Sequence, residues 1–326
     1  MKLRYLFPVS AAMALFVLSF PSKVYTQDRL GVKINFIEQE TRELNKLKSS
    51  GVSLRTVYAK LALAGNVKPA KVEEMTFDKN GLPVEKKNFN SMGRVTGRTE
   101  YKYNAKGFLI SKTVYDGNNT VTDKELTKVD KNGKVLEINA ENIVRHVLHK
   151  TRRVMKYNKS GLLTETLGYE KGKDYIVKEV CEYKDGLLMG KKSYNFAGYF
   201  LGSEDYEYDS LKRKVKEYAV NIFYKPVKDS VTMDKKVQGT KEEATYLLKY
   251  DNKGNIIEIK APEYRQVFTF NEKGDFLRDI VYDKAGKKQN DNEFFYGDDG
   301  LLKKIIRYYA DGSPGAYLDY YYETKK

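Results

Sequence analysis

The chain has 326 residues, with 59 Lys+Arg against 44 Asp+Glu for a formal net charge of +15, and with 27 Tyr, 24 Gly, 2 His, 1 Cys and no Trp. A single cysteine excludes a disulfide framework or a thiolate zinc site, and two histidines leave little for histidine-based metal or triad chemistry. At 32% charged residues no helical membrane span is expected in the mature chain, while 13% aromatic residues is too many for a disordered tail.

Residues 1–26 read as a secretory signal peptide: Lys2 and Arg4 precede an apolar run from Leu6 to Phe20, and Pro21 to Thr26 form a short polar exit. Cleavage after Thr26 removes Lys2, Arg4 and Lys23 and leaves a charge of about +12. Cys181 is far from the cleavage region, so no lipid-attachment cysteine is expected. The expected location is the periplasm, the outer-membrane surface or the medium. Residues 27–51 form a lead segment. Val32, Ile34 and Phe36 alternate there like a strand, whereas Asn35 with Glu38 is placed to cap a helix over 37–48 that ends at Gly51.

From residue 52 to 326 the reading is a single repeat domain. Val52 to Leu61 and Ala70 to Phe77 are read as strands joined by a loop containing Gly65. From Phe77 onward one pattern recurs: an aromatic, Asp or Asn, two variable residues, Gly, one variable residue and an aliphatic. Eleven of the 24 glycines occupy this motif position, from Phe77-Asp78 with Gly81 to Tyr308 with Gly312. Degenerate copies include Tyr208-Asp209, where Lys212 stands in place of the glycine.

The motif has the chemistry of a hairpin turn. The Asp or Asn side chain accepts from a backbone N–H two residues on, and Gly three residues later supplies the left-handed conformation that a type I turn with a bulge requires. The aromatic then lies opposite the aliphatic two residues beyond the glycine. The expected pairs are Tyr103 with Leu109, Tyr157 with Leu163, Tyr250 with Ile256, Phe270 with Phe276 and Tyr296 with Leu302. Aromatics follow one another at steps of 12 and 14 residues, as from 77 to 89 to 103 to 115. That spacing predicts strands of roughly 8–10 residues. The interval 226–242 lacks the turn signature and is expected to be the longest loop.

Runs such as Tyr250-Asp251-Asn252-Lys253-Gly254-Asn255-Ile256 resemble the YD repeats of RHS-type surface proteins, especially the short exported YD-like repeat proteins of Bacteroidetes. A second likeness, to MORN-type repeats, is carried by Tyr183-Lys184-Asp185-Gly186-Leu187-Leu188. The resemblance implies antiparallel strand arrays serving as shells or as carbohydrate and cell-contact surfaces. The chain is too short for a complete shell, so encapsulation of a cargo is not expected.

Candidate sites are few. His146 and His149 lie three apart, which on a strand points them to opposite faces and argues against a shared metal. Cys181 alternates with apolar neighbours and reads as a small packed residue rather than a nucleophile. Most motif Asp residues are accounted for as turn acceptors, so no catalytic residue and no cofactor is expected. The densest basic stretch is Lys150, Arg152, Arg153, Lys156 and Lys159; alternation places Lys150, Arg152 and Lys156 on one face and Arg153 on the other. Lys212, Arg213, Lys214 and Lys216 form a second group. With nearby tyrosines, the first stretch is a candidate binding surface for an anionic polysaccharide, a lipid headgroup or an envelope protein, and an exported chain makes nucleic acid a poor candidate. A transmembrane barrel is disfavoured because both alternating sets of Leu301 to Tyr308 contain a charge.

The resulting expectation is an all-β protein: an antiparallel β-hairpin repeat array of roughly 16–20 strands in one extended, twisted or curled sheet. Its expected role is a non-catalytic binding or interaction module. The alternatives are a glycan-active hydrolase and a structural component of an envelope assembly.

Overall fold

The computed structural model describes residues 42–62, 67–144, 147–170, 175–224 and 239–324. The signal over 1–26, the alternation at Val32, Ile34 and Phe36, and His146 lie outside these residues. The helix expected over 37–48 is present among the described residues as α1 (42–49), followed by Gly51 at φ +64°.

Twenty strands follow. The first ten are β1 (Val52–Leu61), β2 (Ala70–Phe77), β3 (Pro83–Phe89), β4 (Val95–Tyr103), β5 (Leu109–Asp116), β6 (Val121–Val129), β7 (Val135–Val144), β8 (Val147–Tyr157), β9 (Leu163–Glu170) and β10 (Tyr175–Lys184). The next five are β11 (Leu187–Asn195), β12 (Phe200–Tyr208), β13 (Lys214–Tyr224), β14 (Gly239–Tyr250) and β15 (Ile256–Lys260). The last five are β16 (Tyr264–Phe270), β17 (Phe276–Asp283), β18 (Lys288–Tyr296), β19 (Leu302–Tyr308) and β20 (Pro314–Thr324). The first two strands have the bounds read from sequence. Of the loop expected over 226–242, residues 226–238 lie outside the described residues, and 239–242 belong to β14.

The turn motif folds as its chemistry requires. In the turn after β2, Gly81 N–H donates to the Asp78 carbonyl at 3.1 Å and Asp78 N–H to the Leu82 carbonyl at 2.8 Å. Asp78 Oδ1 accepts from the N–H groups of Asn80 and Leu82 at 2.8 and 2.9 Å. All eleven motif glycines have φ between +73° and +88°. The register follows: Tyr103 faces Leu109, Tyr157 faces Leu163, Tyr250 faces Ile256 and Tyr296 faces Leu302, each beside a bulge. The Phe270 and Phe276 rings stack at 5.1 Å.

The expectation of an extended open sheet is overturned. β1 pairs with β2 on one side and with β20 on the other, in antiparallel register from Leu61 opposite Ala316 to Val52 opposite Thr324. The twenty strands therefore belong to one closed antiparallel sheet, a β-barrel in topology. Closure pairs the backbone groups of what would otherwise be two free edges.

Two compact units are distinguished. The first holds residues up to Leu126 with 268–281 and 288–326; the second holds 127–267 with 282–287. In the first, Leu47 of α1 is fully buried with Val52, Met75, Phe77 and Leu301, and a neighbouring cluster joins Val57, Ala59, Leu302, Leu318 and Tyr320. α1 rests on turns: Arg42 Nη1 donates to the Gly274 carbonyl at 2.9 Å, and Lys46 Nζ to the Gly300 carbonyl at 3.0 Å. In the second unit Tyr206, Leu248, Ile256, Ile259 and Tyr264 are buried.

Candidate functional site

The first basic stretch falls on β8, where alternation separates it as expected. Lys150, Arg152 and Lys156 are exposed, while Arg153 lies on the opposite, partly buried face between Ile138 of β7 and Gly168 of β9. Two of the three exposed cations are neutralised by cross-strand partners: Lys150 Nζ lies 2.7 Å from Glu141 Oε1, and Lys156 Nζ 2.5 Å from Glu165 Oε1. Glu165 also receives Lys178 at 2.8 Å. The hydrogen bonds from Lys156 and Lys178 hold its carboxyl below the ordinary range.

Arg152 is different. Its guanidinium sits 4.6 Å from the centroid of the Tyr169 ring, and among the described residues no carboxylate lies within 4 Å of it, although its charge helps to lower the nearby Glu137 carboxyl. The other arginines that lie over tyrosine rings among the described residues, Arg55, Arg98, Arg213, Arg265 and Arg278, do have carboxylate partners. Arg98, over Tyr115 at 4.0 Å, bonds Glu85 and Glu100; Arg278, near Tyr308 at 6.0 Å, makes two 2.8 Å bonds to Asp291. Such stacking holds the planar donor fork in place.

The second basic group is dispersed. Lys212 occupies the turn at φ +60°, Arg213 bonds Asp209 at 2.7 Å and lies over Tyr250, Lys214 pairs with Glu217 at 2.7 Å, and Lys216 pairs with Glu207 at 2.6 Å. His149 Nδ1 is 3.8 Å from Glu170 Oε1. Among the described residues no group of three His, Cys, Asp or Glu side chains is arranged to hold a metal ion.

Sequence reading missed the charged groups on the buried face. In the second unit, Lys191 of β11 bonds Glu204 of β12 at 3.1 Å, and the Tyr206 hydroxyl also donates to Glu204. Lys214 lies 4.8 Å from the Tyr206 ring centroid and pairs with Glu217, which is buried. Burial and the bond to Glu204 hold the Tyr206 phenol far above its usual range. The carboxyl of Glu179 on β10 is raised: burial pushes it up, Lys191 and Arg153 oppose that, and Glu204 adds to it. Burial likewise pushes up the neighbouring Cys181 thiol, in keeping with a packed residue.

The first unit holds a tighter group. Arg55 of β1, Glu73 of β2 and Lys86 of β3 are buried side by side: Arg55 Nη2 is 2.8 Å from Glu73 Oε1, and Lys86 Nζ is 3.2 Å from Glu73 Oε2. Glu43 of α1 reaches Arg55 Nη1 at 3.2 Å. Burial alone would lower both cations. For Arg55, Glu73 and Glu43 outweigh it and hold the guanidinium above its usual range, whereas Lys86 ends below its own. The available signal was parity, since Arg55 shares its face of β1 with Val57 and Ala59.

No family model and no curated protein matches the chain. Solved structures that match it include the Photorhabdus luminescens Tc holotoxin pore, at 10% identity and a TM-score of 0.25, over 80% of this chain and 22% of that one. A porin-like protein from Bacteroides uniformis matches at 10% identity and a TM-score of 0.31, over 84% of this chain and 97% of that one. A porin-like protein from Bacteroides vulgatus matches at 12% identity and a TM-score of 0.32, over 84% of this chain and 99% of that one. The chain thus spans about a fifth of the toxin chain that it matches.

Proposed function

We propose that the protein is an exported, non-catalytic binding module whose solvent face at β8 and β9 holds an acidic polysaccharide. The carrying observation is Arg152, exposed, stacked on Tyr169 and without a carboxylate partner, between Lys150 and Lys156 on one strand face. A guanidinium fork held flat is shaped to receive a uronate carboxylate through two parallel hydrogen bonds. The non-catalytic part of the reading is supported by the buried-face acids Glu73, Glu204 and Glu217, each tied to a cation and so committed to structure.

Retention on immobilised polygalacturonate tests the reading. Arg152→Ala is expected to weaken retention by about 10- to 150-fold, the equivalent of one charge-assisted contact of about 1.5–3 kcal/mol. Equal retention of the variant, or none for the native protein, overturns it.

A second reading, glycan hydrolysis, is favoured by one observation: burial raises the Glu179 carboxyl, as a general acid that must stay protonated requires. Release of reducing ends from a polysaccharide panel, abolished by Glu179→Gln, would establish turnover and displace the non-catalytic reading.

A further inference from the structure

The two ends of the second unit's strands differ in chemistry. At one end the turns after β8, β12 and β14 are polar loops headed by Asn158, Asp209 and Asp251, whose side chains accept backbone N–H groups. Tyrosine hydroxyls tie the strands together at the same end, Tyr157 to the Val135 carbonyl, Tyr208 to Leu188 and Tyr250 to Lys214, at 2.6–2.7 Å. Leu211 is the one large apolar side chain exposed in those turns among the described residues.

At the other end, among the described residues, large apolar side chains are exposed. Ile143 and Leu148, partners across β7 and β8, are exposed together with Val147; Phe196 and Tyr199 project from the turn between β11 and β12; Phe223 lies near the end of β13. Their exposures run from 45 to 69%. Folding a soluble surface gives no reason to place six large apolar side chains on strand ends and a turn apex.

We propose that this rim docks the protein on an anionic lipid surface, with the tips entering the headgroup boundary and the strands standing above it. Three features select a lipid surface as the occupant. The rim mixes aliphatic and aromatic side chains, and aliphatic tips offer a sugar no ring to stack on but do partition into acyl chains. Tyr and Phe are the side chains that settle at a headgroup boundary. Directly behind the tip, β8 carries Lys150, Arg152, Arg153 and Lys156 against Glu137 and Glu141 of β7, so the hairpin combines an apolar end with a stem of net positive charge even though Lys150 is paired with Glu141. Charged side chains continue along the solvent face at Lys178 and Lys192, so the rim enters the boundary and the strands do not cross it. The apolar rim contains neither Arg152 nor Tyr169, so changes to the rim separate this proposal from the polysaccharide reading.

Co-sedimentation of the full mature chain with vesicles decides it. Binding is expected to phosphatidylcholine vesicles doped with phosphatidylglycerol, and more weakly to phosphatidylcholine alone. The quadruple change V147S, L148S, F196S and Y199S should lower partitioning about tenfold or more, from the apolar area removed, and leave polygalacturonate retention unchanged. Arg152→Ala should lower polygalacturonate retention about tenfold or more and, as the loss of one stem cation, reduce binding to anionic vesicles by less than the rim changes do. Near-ultraviolet circular dichroism confirms that the exposed changes leave the fold intact, and V147S with L148S serves as the milder variant if it does not. Failure of the native chain to sediment, equal sedimentation of the rim variants, or equal binding to neutral and anionic vesicles each overturns the proposal.

Discussion

The hydroxyl of Tyr157, the last residue of β8, donates at 2.7 Å to the backbone carbonyl of Val135, the first residue of β7. β7 and β8 are consecutive in the chain and pair from Glu137 opposite Val154 to Val144 opposite Val147, so this bond closes the hairpin at the end where its strands have no chain connection. Tyr103 to Pro83, Tyr208 to Leu188, Tyr250 to Lys214 and Tyr322 to Leu302 repeat the arrangement at 2.6–2.9 Å. A phenylalanine at the motif position would keep the cross-strand pair and lose the tie, which accounts for tyrosine at these positions. Tyr157→Phe is expected to cost about 0.5–1.5 kcal/mol in urea unfolding. Tyr169→Phe, which keeps the ring beneath Arg152, should change stability by less than about 0.5 kcal/mol.

Lys212 holds the position that glycine holds in the complete motifs, at φ +60°. An L-residue in the left-handed region costs about 1–2 kcal/mol, of which the greater freedom of glycine in the unfolded chain gives back part. Lys212→Gly should therefore raise the urea midpoint, by up to about 1 kcal/mol in stability. Gly254→Ala, at φ +88° with nothing within 4 Å of the new methyl, should lower it by about 1 kcal/mol through the backbone alone. A lower midpoint for Lys212→Gly would show that the lysine side chain contributes more than the strain costs.

These turns were legible because each is a local event. Asp78, Gly81 and the strands around them lie within a dozen residues, and side-chain type decides the backbone there. Closure was not legible: Val57 pairs with Tyr320 across the length of the repeat domain, and β1 carries no motif that names its partner. The buried charges escaped for a related reason. Strand alternation tells that Arg55 faces with Val57, but only the register of three strands brings Glu73 and Lys86 to it. On β8 alternation placed the cations correctly, while the carboxylates that neutralise Lys150 and Lys156 came from neighbouring strands.

Asp291 gives the acid limb of stability a definite origin. Its side chain is fully buried, with Arg278 Nε and Nη2 each at 2.8 Å and Lys288 Nζ at 2.7 Å. Burial would raise its pKa, but the bonds from Arg278 and Lys288 outweigh that and hold it below the ordinary 3.8. A carboxyl depressed in the folded state contributes stability above its unfolded pKa, and that contribution is lost as pH falls through the folded value. Asp291→Asn should be less stable than the native protein at neutral pH and should lose less on acidification below about pH 4. Parallel pH profiles for the two proteins would assign the acid limb to other carboxylates.

Glu73 stands between two buried cations, and its loss should exceed any other single change considered above. Removing it takes the carboxylate at 3.2 Å from buried Lys86 and leaves buried Arg55 with Glu43 alone, its Nε already lacking a hydrogen-bond partner. Glu73→Ala is therefore expected to cost about 3–5 kcal/mol, the usual size for breaking a buried ion pair from one side. Replacing all three members with apolar residues, R55M, E73L and K86L, should recover most of that cost, because no charge then has to be desolvated. The recovered protein should also hold α1 less firmly, since Glu43 would lose Arg55, and amide exchange over 42–49 reads that directly. A cost for Glu73→Ala below about 1 kcal/mol would mean that solvent reaches Arg55 and Lys86 once the carboxylate is gone.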